Sequence, residues 1–309
     1  MILCCGEALI DMLPRTTTAG EAAFAPYAGG AVFNTAVALG RLGVPAGFFS
    51  GLSTDLMGEI LAETLAASGV DTALAARSAR PTTLAFVKLV NGQATYAFYD
   101  ENTAGRLLAE ADLPALPSSV TALFFGGISL VNDPAASTYA AFQARASAAG
   151  RVTMIDPNIR PGFITDPAAY RARIAGMVAR ADIVKVSDED LRWLEGGGEI
   201  EPLARAMLAR GPKVVFVTEG AKGAHGFTAG LSRFVAATPV KVADTVGAGD
   251  TFNAGALAAL HAAGALTAGR IAALTAAEVD AALSLGARAA AVTVSRPGAD
   301  PPWARELGL

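Results

Sequence analysis

The sequence predicts an α/β fold: a doubly wound, mainly parallel sheet with helices on both faces, three layers in all, and a small β unit outside it. Three observations carry this reading. Short apolar runs alternate with Ala-rich helical stretches along all 309 residues, the pattern of an open sheet covered on both sides. With 52% apolar and 17% charged residues the chain can bury the core of one large unit, and no linker or internal repeat divides residues 1–309 into independent domains. One segment breaks the pattern. Thr82 to Tyr99 alternates on either side of Asn91-Gly92, a strong hairpin signal, and a hairpin with one exposed face must lie outside a doubly wound sheet.

Taken in order, the apolar runs Ile2 to Glu7, Gly47 to Gly51, Ala122 to Gly126, Val152 to Asp156, Ile183 to Val186 and Val214 to Thr218 read as strands. Helical spacing predicts Ala31 to Leu42, Met57 to Ala67, Pro134 to Ala149, Ala168 to Ala179, Glu201 to Arg210 and Ala276 to about Ala290. Val240-Lys241-Val242 reads as the end of a strand, and Thr251 to Ala263 as a helix of small residues. Gly196-Gly197-Gly198 reads as a flexible turn, and Cys4 and Cys5, the only cysteines, as buried strand thiols without a disulfide framework.

Several function classes are disfavoured. A net charge of −4 with no run of Lys or Arg argues against a nucleic-acid surface. No Gly-Lys-Ser or Gly-Lys-Thr phosphate loop occurs, and His225 and His261 lie in no metal-ligand spacing. Met1 to Glu7 has no basic leader, and no apolar stretch approaches the ~20 residues of a membrane span, so the expected compartment is the cytoplasm.

The chemistry concentrates in Asp244-Thr245-Val246-Gly247-Ala248-Gly249-Asp250-Thr251-Phe252-Asn253-Ala254-Gly255. Gly247, Ala248 and Gly249 fall where a helix begins, and the first amides of a helix have no internal partner and face outward with the positive end of the dipole, which suits a phosphate. Asp250 would then be a base within reach of that phosphate, or else an ordinary helix cap.

This segment resembles the C-terminal signature of the ribokinase-like (PfkB) sugar kinases, unbroken over twelve residues. A second element, Gly29-Gly30-Ala31-Val32-Phe33-Asn34-Thr35-Ala36 running on through Leu39, Arg41, Leu42 and Gly43, lies more than 200 residues away in the family order. The resemblance covers essentially the whole chain. It implies a ribokinase-like fold, with a lid formed by about 11–30 and 82–100, and makes Asp250 the group that takes the proton from the acceptor hydroxyl. It also places Asp11, read as the end of the first strand, on the ring hydroxyls of a sugar.

Gly29 and Gly30 would let the sugar lie against bare backbone, while Asn34 can donate and accept as a vicinal hydroxyl pair demands. Asp156, Asn158 and Arg160 follow an apolar strand at the carboxyl end where open α/β sheets bind ligands. The resemblance assigns this Asp-x-Asn-x-Arg element to fructokinases and 2-keto-3-deoxygluconate kinases; Arg106, after the hairpin, is a second cation within possible reach. Thr218, Gly220 and Gly223 match a nucleotide loop, and adenine is expected between that loop and the last helix, around Ala287 to Ala291. One departure stands out: Ser187 and Asp190 replace the Asn and Glu of the family element that organises magnesium and phosphate. Ser187 reads mainly as a helix cap, and the shorter Asp190 as a water-bridged Mg2+ contact. Asp244 is either a turn cap or a ligand of a monovalent cation such as K+.

The expectation is an ATP- and Mg2+-dependent sugar kinase, fructokinase before any other, forming a 6-phosphate ester and pairing as a homodimer through its lid. A 2-keto-3-deoxygluconate kinase is the competing enzyme, and a catalytically silent sugar-binding regulator is the alternative of another class.

Overall fold

The computed structural model describes residues 1–90 and 93–309. Nine strands form the main sheet, in the order Ser232–Ala236, Gly223–Phe227, Val214–Thr218, Ile183–Ser187, Val152–Asp156, Ala122–Gly126, Ile2–Cys5, Ala46–Phe49 and Val70–Asp71. All pair in parallel except the first two, which close that edge antiparallel. Three of the expected strands match residue for residue, because a strand covered on both faces reads as an unbroken apolar run.

Alternation within each strand builds the three layers. Ile2 and Cys4 enter one apolar cluster, with the helices Ala31–Arg41, Ala248–Ala262 and Ala276–Val294; Leu3 and Cys5 enter the other, with Ala135–Ala148, Pro167–Arg180 and Ile200–Leu208. Cys4 and Cys5 are buried free thiols. The helices Ala248–Ala262 and Ala276–Val294 cross in close contact: a Cβ on Gly255 would stand 2.7 Å from the Gly286 Cα, and one on Gly286 2.8 Å from the Phe252 ring.

A second, four-stranded sheet stands apart from the first, in the order Ala22–Gly29, Leu9–Thr16, Leu84–Val90 and Gln93–Tyr99. The last two strands pair antiparallel as expected, with Val90 opposite Gln93; the turn residues Asn91-Gly92 lie outside the described residues. Phe24, Phe86 and Tyr99 form an edge-to-face aromatic row on this sheet, with Phe24 and Tyr99 exposed.

Three expectations need correction. Val240-Lys241-Val242 is not a strand: Val240 and Val242 are exposed and, among the described residues, have no partner strand, and the edge strand ends earlier, at Ala236. The helix expected from Thr251 begins at Ala248. Asp11 does not end the first strand, which stops at Cys5; it lies inside Leu9–Thr16 of the small sheet, opposite Tyr27 and Ala85. No helix among the described residues is long and apolar enough to cross a membrane.

Candidate active site

The helix Ala248–Ala262 starts from Gly247, whose φ of 77° is left-handed and whose Cβ position would stand 2.8 Å from the Ala299 Cβ, so conformation and space both call for glycine. No side chain caps this helix, and among the described residues no acceptor is bonded to the amides of Gly249 or Asp250. Lys185 brings an ammonium to the same spot, its Nζ 3.0 Å from where a Gly249 Cβ would be. Open amides, the helix dipole and a fixed cation converge on one point, which is the chemistry of an anion site.

Asp250 is not the cap. It sits in the first turn, buried, and its Oδ2 accepts the Asn34 side-chain amide at 2.9 Å, while the Thr35 hydroxyl donates to its backbone carbonyl. Two helices more than 200 residues apart in sequence are thereby joined at the site. Burial, above all, pushes the Asp250 carboxyl up to about 7; the Asn34 amide and Lys185 oppose the shift, and the charges of Asp156 and Glu7 add to it. A carboxylate held there is a stronger base than an ordinary aspartate and is still ionised at neutral pH in a large fraction of molecules.

Lys185 is itself held by Asp156, Nζ to Oδ2 at 2.9 Å, with both side chains almost wholly buried. The same Oδ2 accepts the Asn253 amide at 2.7 Å, and Oδ1 accepts the Asn158 backbone N–H. Asp156 therefore serves as the counter-ion of Lys185. Asn158 adopts a left-handed φ of 43° to make that turn, and the Arg160 guanidinium bonds the neighbouring carbonyl of Ile159 on the exposed side. Ser187 caps its helix, accepting the Asp190 N–H, as its residue type suggested. The Asp190 carboxyl is raised by burial and then by Asp156, and lowered by Lys185 and Arg160, which puts it in the same cluster.

On the acceptor side Asp11 is raised to about 6 by burial, and its Oδ2 occupies the space a Gly29 Cβ would need, 2.5 Å away. Gly30, at φ 110°, has no room for a side chain: a Cβ there would stand 2.9 Å from the Glu7 carbonyl oxygen. Glu7 has a role the sequence reading did not assign. Its carboxylate accepts the Ala31 N–H at 2.8 Å and the Ser129 N–H at 3.2 Å, so it plugs the start of the helix that carries Asn34. Burial raises its carboxyl, against these bonds. Gly127 is left-handed beside that carboxylate and has no room for a Cβ.

Glu7 and Ser129 follow the strands Ile2–Cys5 and Ala122–Gly126, where the winding of the main sheet reverses, the place where open α/β sheets leave a crevice. A cavity of about 220 Å³ lies there, walled on the body side by Glu7, Ser50 and Ser129 and on the small-sheet side by Phe98, Asp100 and Arg106. Phe163 closes it against Phe98, ring centroids 4.5 Å apart.

Thr218, Gly220 and Gly223 form a separate loop beyond the strand Val214–Thr218; Gly220 and Gly223 have φ 53° and 141°, and Glu219 binds Lys222 and His225 across it. Asp244 accepts the amides of Val246 and Gly298, clipping the anion-site turn to the end of the last helix. Ala287 to Ala291 lie within that helix. No cluster of three or more metal-ligating side chains occurs among the described residues.

Of the residues singled out from sequence, Asn34, Asp156, Asp190 and Asp250 thus share one buried electrostatic cluster, while Asp11 lies in the small sheet and the Thr218 loop at the end of its own strand. Lys185, Asn253, Thr35 and Glu7 belong to the site and were missed. A lysine inside an otherwise apolar central strand was the available signal, since such a charge must be paired.

The family model described as pfkB family carbohydrate kinase matches residues 1–305. The chain is 58% identical over 274 residues to a fructokinase of Rhizobium leguminosarum bv. trifolii, covering 89% of this chain and 84% of that one. Among solved structures it resembles a fructokinase of Xylella fastidiosa with bound ATP, at a TM-score of 0.87 and 29% identity over 96% of this chain and 93% of that one. It also resembles a fructokinase double mutant of Vibrio cholerae O395 in a form with fructose, ADP and a potassium ion bound, at a TM-score of 0.84 and 28% identity, with the same coverage of both chains.

Proposed function

Since the chain belongs to the pfkB family of carbohydrate kinases, we propose that it is an ATP-dependent fructokinase, transferring the γ-phosphoryl group of ATP to the primary 6-hydroxyl of fructose. The observation that carries the mechanism is the pairing, within one helical turn, of a buried carboxylate raised to about 7 with the amides of Gly249 and Asp250, which bond no acceptor among the described residues.

In this mechanism Asp250 accepts the proton of the 6-hydroxyl as that oxygen forms its bond to the γ-phosphorus; the bond from phosphorus to the β,γ-bridging oxygen breaks, and ADP departs. Negative charge on the transferring group is met by the amides of Gly247, Ala248 and Gly249 and by the Lys185 ammonium. These groups are fixed before substrate arrives, so little reorganisation is needed during the step. Asn34 orients Asp250 through the amide it donates, and Asn253 with Asp156 orients Lys185. Asp11, Gly29 and Gly30 hold the ring hydroxyls, and Asn158 and Arg160 line the site beyond Asp156. The Thr218, Gly220 and Gly223 loop takes the nucleotide, with adenine toward Ala287 to Ala291.

Magnesium characteristically uses one or two carboxylates together with substrate phosphates, which fits a site without a ready-made protein cage. Asp190 would hold it, through water, and the ion offsets triphosphate charge. Asp244, whose carboxylate accepts the Val246 and Gly298 amides, would offer its remaining lone pairs to K+. The small sheet acts as a lid over the sugar, its exposed aromatic row pairs with a second copy, and the enzyme works in the cytoplasm. The test is a coupled ADP-release assay over a sugar panel: fructose should give a higher kcat/KM than 2-keto-3-deoxygluconate, ribose or adenosine, and Asn34→Ala should raise its KM. A clear preference for the sugar acid overturns the acceptor assignment.

A further inference from the structure

Taking the sugar-kinase reading above as the premise, we infer that Asp100 is a specificity-determining residue, which neutralises Arg106 and keeps anionic acceptors out of the cavity. Four observations carry it. The cavity at the reversal point of the sheet is walled by three carboxylates, Glu7, Asp100 and Glu101, and by one cation, Arg106. Arg106 is already engaged: its Nη1 faces Asp100 Oδ2 at 3.4 Å, and its Nε donates to the Asp133 carbonyl at 3.0 Å. Asp100 is held in place, since its Oδ1 accepts the hydroxyls of Thr83 at 2.6 Å and Thr103 at 3.0 Å. Finally, Glu7 lines this cavity and also binds the start of the helix of Asn34, whose amide reaches Asp250, so the cavity adjoins the proposed acceptor site.

An isolated guanidinium in such a wall would grip a carboxylate in a bidentate fork. With Asp100 facing Nη1 and the Asp133 carbonyl on Nε, part of the fork is already taken, and an incoming carboxylate meets an excess of like charge in a partly desolvated space. A neutral polyol loses nothing by comparison, because hydroxyls bond either partner of the pair. The lock thus separates ketoses from sugar acids of similar size by charge, through an unfavourable contact built against the competitor.

The experiment measures fructose turnover, and 2-keto-3-deoxygluconate both as a substrate and as a competitive inhibitor of fructose, in the unmodified enzyme, Asp100→Asn and Glu101→Gln. The first of these substitutions keeps the shape of the side chain but removes its charge. The affinity for the sugar acid relative to that for fructose should rise at least about tenfold in Asp100→Asn, the scale of one like charge removed at short range, and by a smaller factor in the same direction in Glu101→Gln. Glu101→Gln leaves the threonine bonds untouched and decides the matter should Asp100→Asn fail to fold. An unchanged ratio in a folded Asp100→Asn, or in Glu101→Gln where it stands alone, overturns the inference. Failure of the unmodified enzyme to phosphorylate fructose overturns the premise instead, and the two outcomes are read from different lanes of the same assay.

Discussion

Two helices meet at the centre of this molecule, and they begin differently. Ala31–Arg41 and Ala248–Ala262 both start from a glycine with positive φ, and neither has a side-chain cap of its own. The first has its leading amide occupied by the carboxylate of Glu7; the second turns its leading amide back onto the Thr245 carbonyl but, among the described residues, leaves those of Gly249 and Asp250 open, beside Lys185. A positive-φ glycine thus opens a structural joint in one place and, in the proposed mechanism, a ligand site in the other. What distinguishes them is whether the protein supplies its own anion.

The most severe way to break that distinction is to disable the open end. Asp250→Asn keeps the shape and removes the proton acceptor, so turnover should fall by about 10²–10⁴-fold while ATP binding persists; near-normal turnover would remove Asp250 from the mechanism. The same variant should be the more stable protein in alkali. A folded Asp250 holds its proton up to about 7, whereas an unfolded aspartate releases it near 3.9. The folded state binds more protons between those values, so this group's contribution to stability falls as pH rises through that window. Thermal melts at pH 8 should accordingly show a higher Tm for Asp250→Asn.

Next in size is the pH profile. The log of kcat/KM for fructose should drop with unit slope as pH falls below about 7, as Asp250 becomes protonated, with a plateau above. Lys185→Met sharpens the point: Lys185 lowers the Asp250 pKa, so its loss should move the break to higher pH. That variant also breaks a buried ion pair, at a cost of about 3–5 kcal/mol in urea unfolding. An unmoved break in a folded Lys185→Met would show that the ammonium does not act on the base.

Unplugging the other helix should do less. Glu7→Gln keeps the length of the side chain but weakens two charge-assisted bonds, worth about 1–3 kcal/mol together, and should be read mainly as a rise in fructose KM with kcat much less affected. An equal fall in kcat would mean that Glu7 acts on the transferring group. Smallest is the response of the small sheet. Amide exchange over Leu84–Val90 and Gln93–Tyr99 should slow when fructose is added without nucleotide, while Val152–Asp156 changes little. Unaltered exchange in a sample where fructose is shown to bind would make this sheet a fixed element.

What was legible in the sequence follows the same division. Strands covered on both faces announce themselves, so Ala122–Gly126, Val152–Asp156 and Val214–Thr218 were read to the residue. The antiparallel edge was not, since Gly223–Phe227 and Ser232–Ala236 mix Gly, His, Ser and Arg without a clean alternation, and the apolar pair Val240 and Val242 drew the strand to an exposed stretch instead. At the site, residues inside a motif were found, and the partners that make them work were not. Asp156 looked like a reader of substrate because nothing in a linear text places Lys185, from the next strand, on its oxygen. Glu7 looked like the polar end of a strand, although its carboxylate ties together residues 31 and 129.

The contact between Gly255 and Gly286 has a mechanical meaning. Gly255 meets the backbone of its neighbour and Gly286 receives the Phe252 ring, so the helix carrying Asp250 is closely seated on that neighbour. A methyl at either position would lift that helix and carry the base and the anion hole away from the acceptor together. In the proposed mechanism, opening and closing would then fall to the small sheet, moving against a base that stays still.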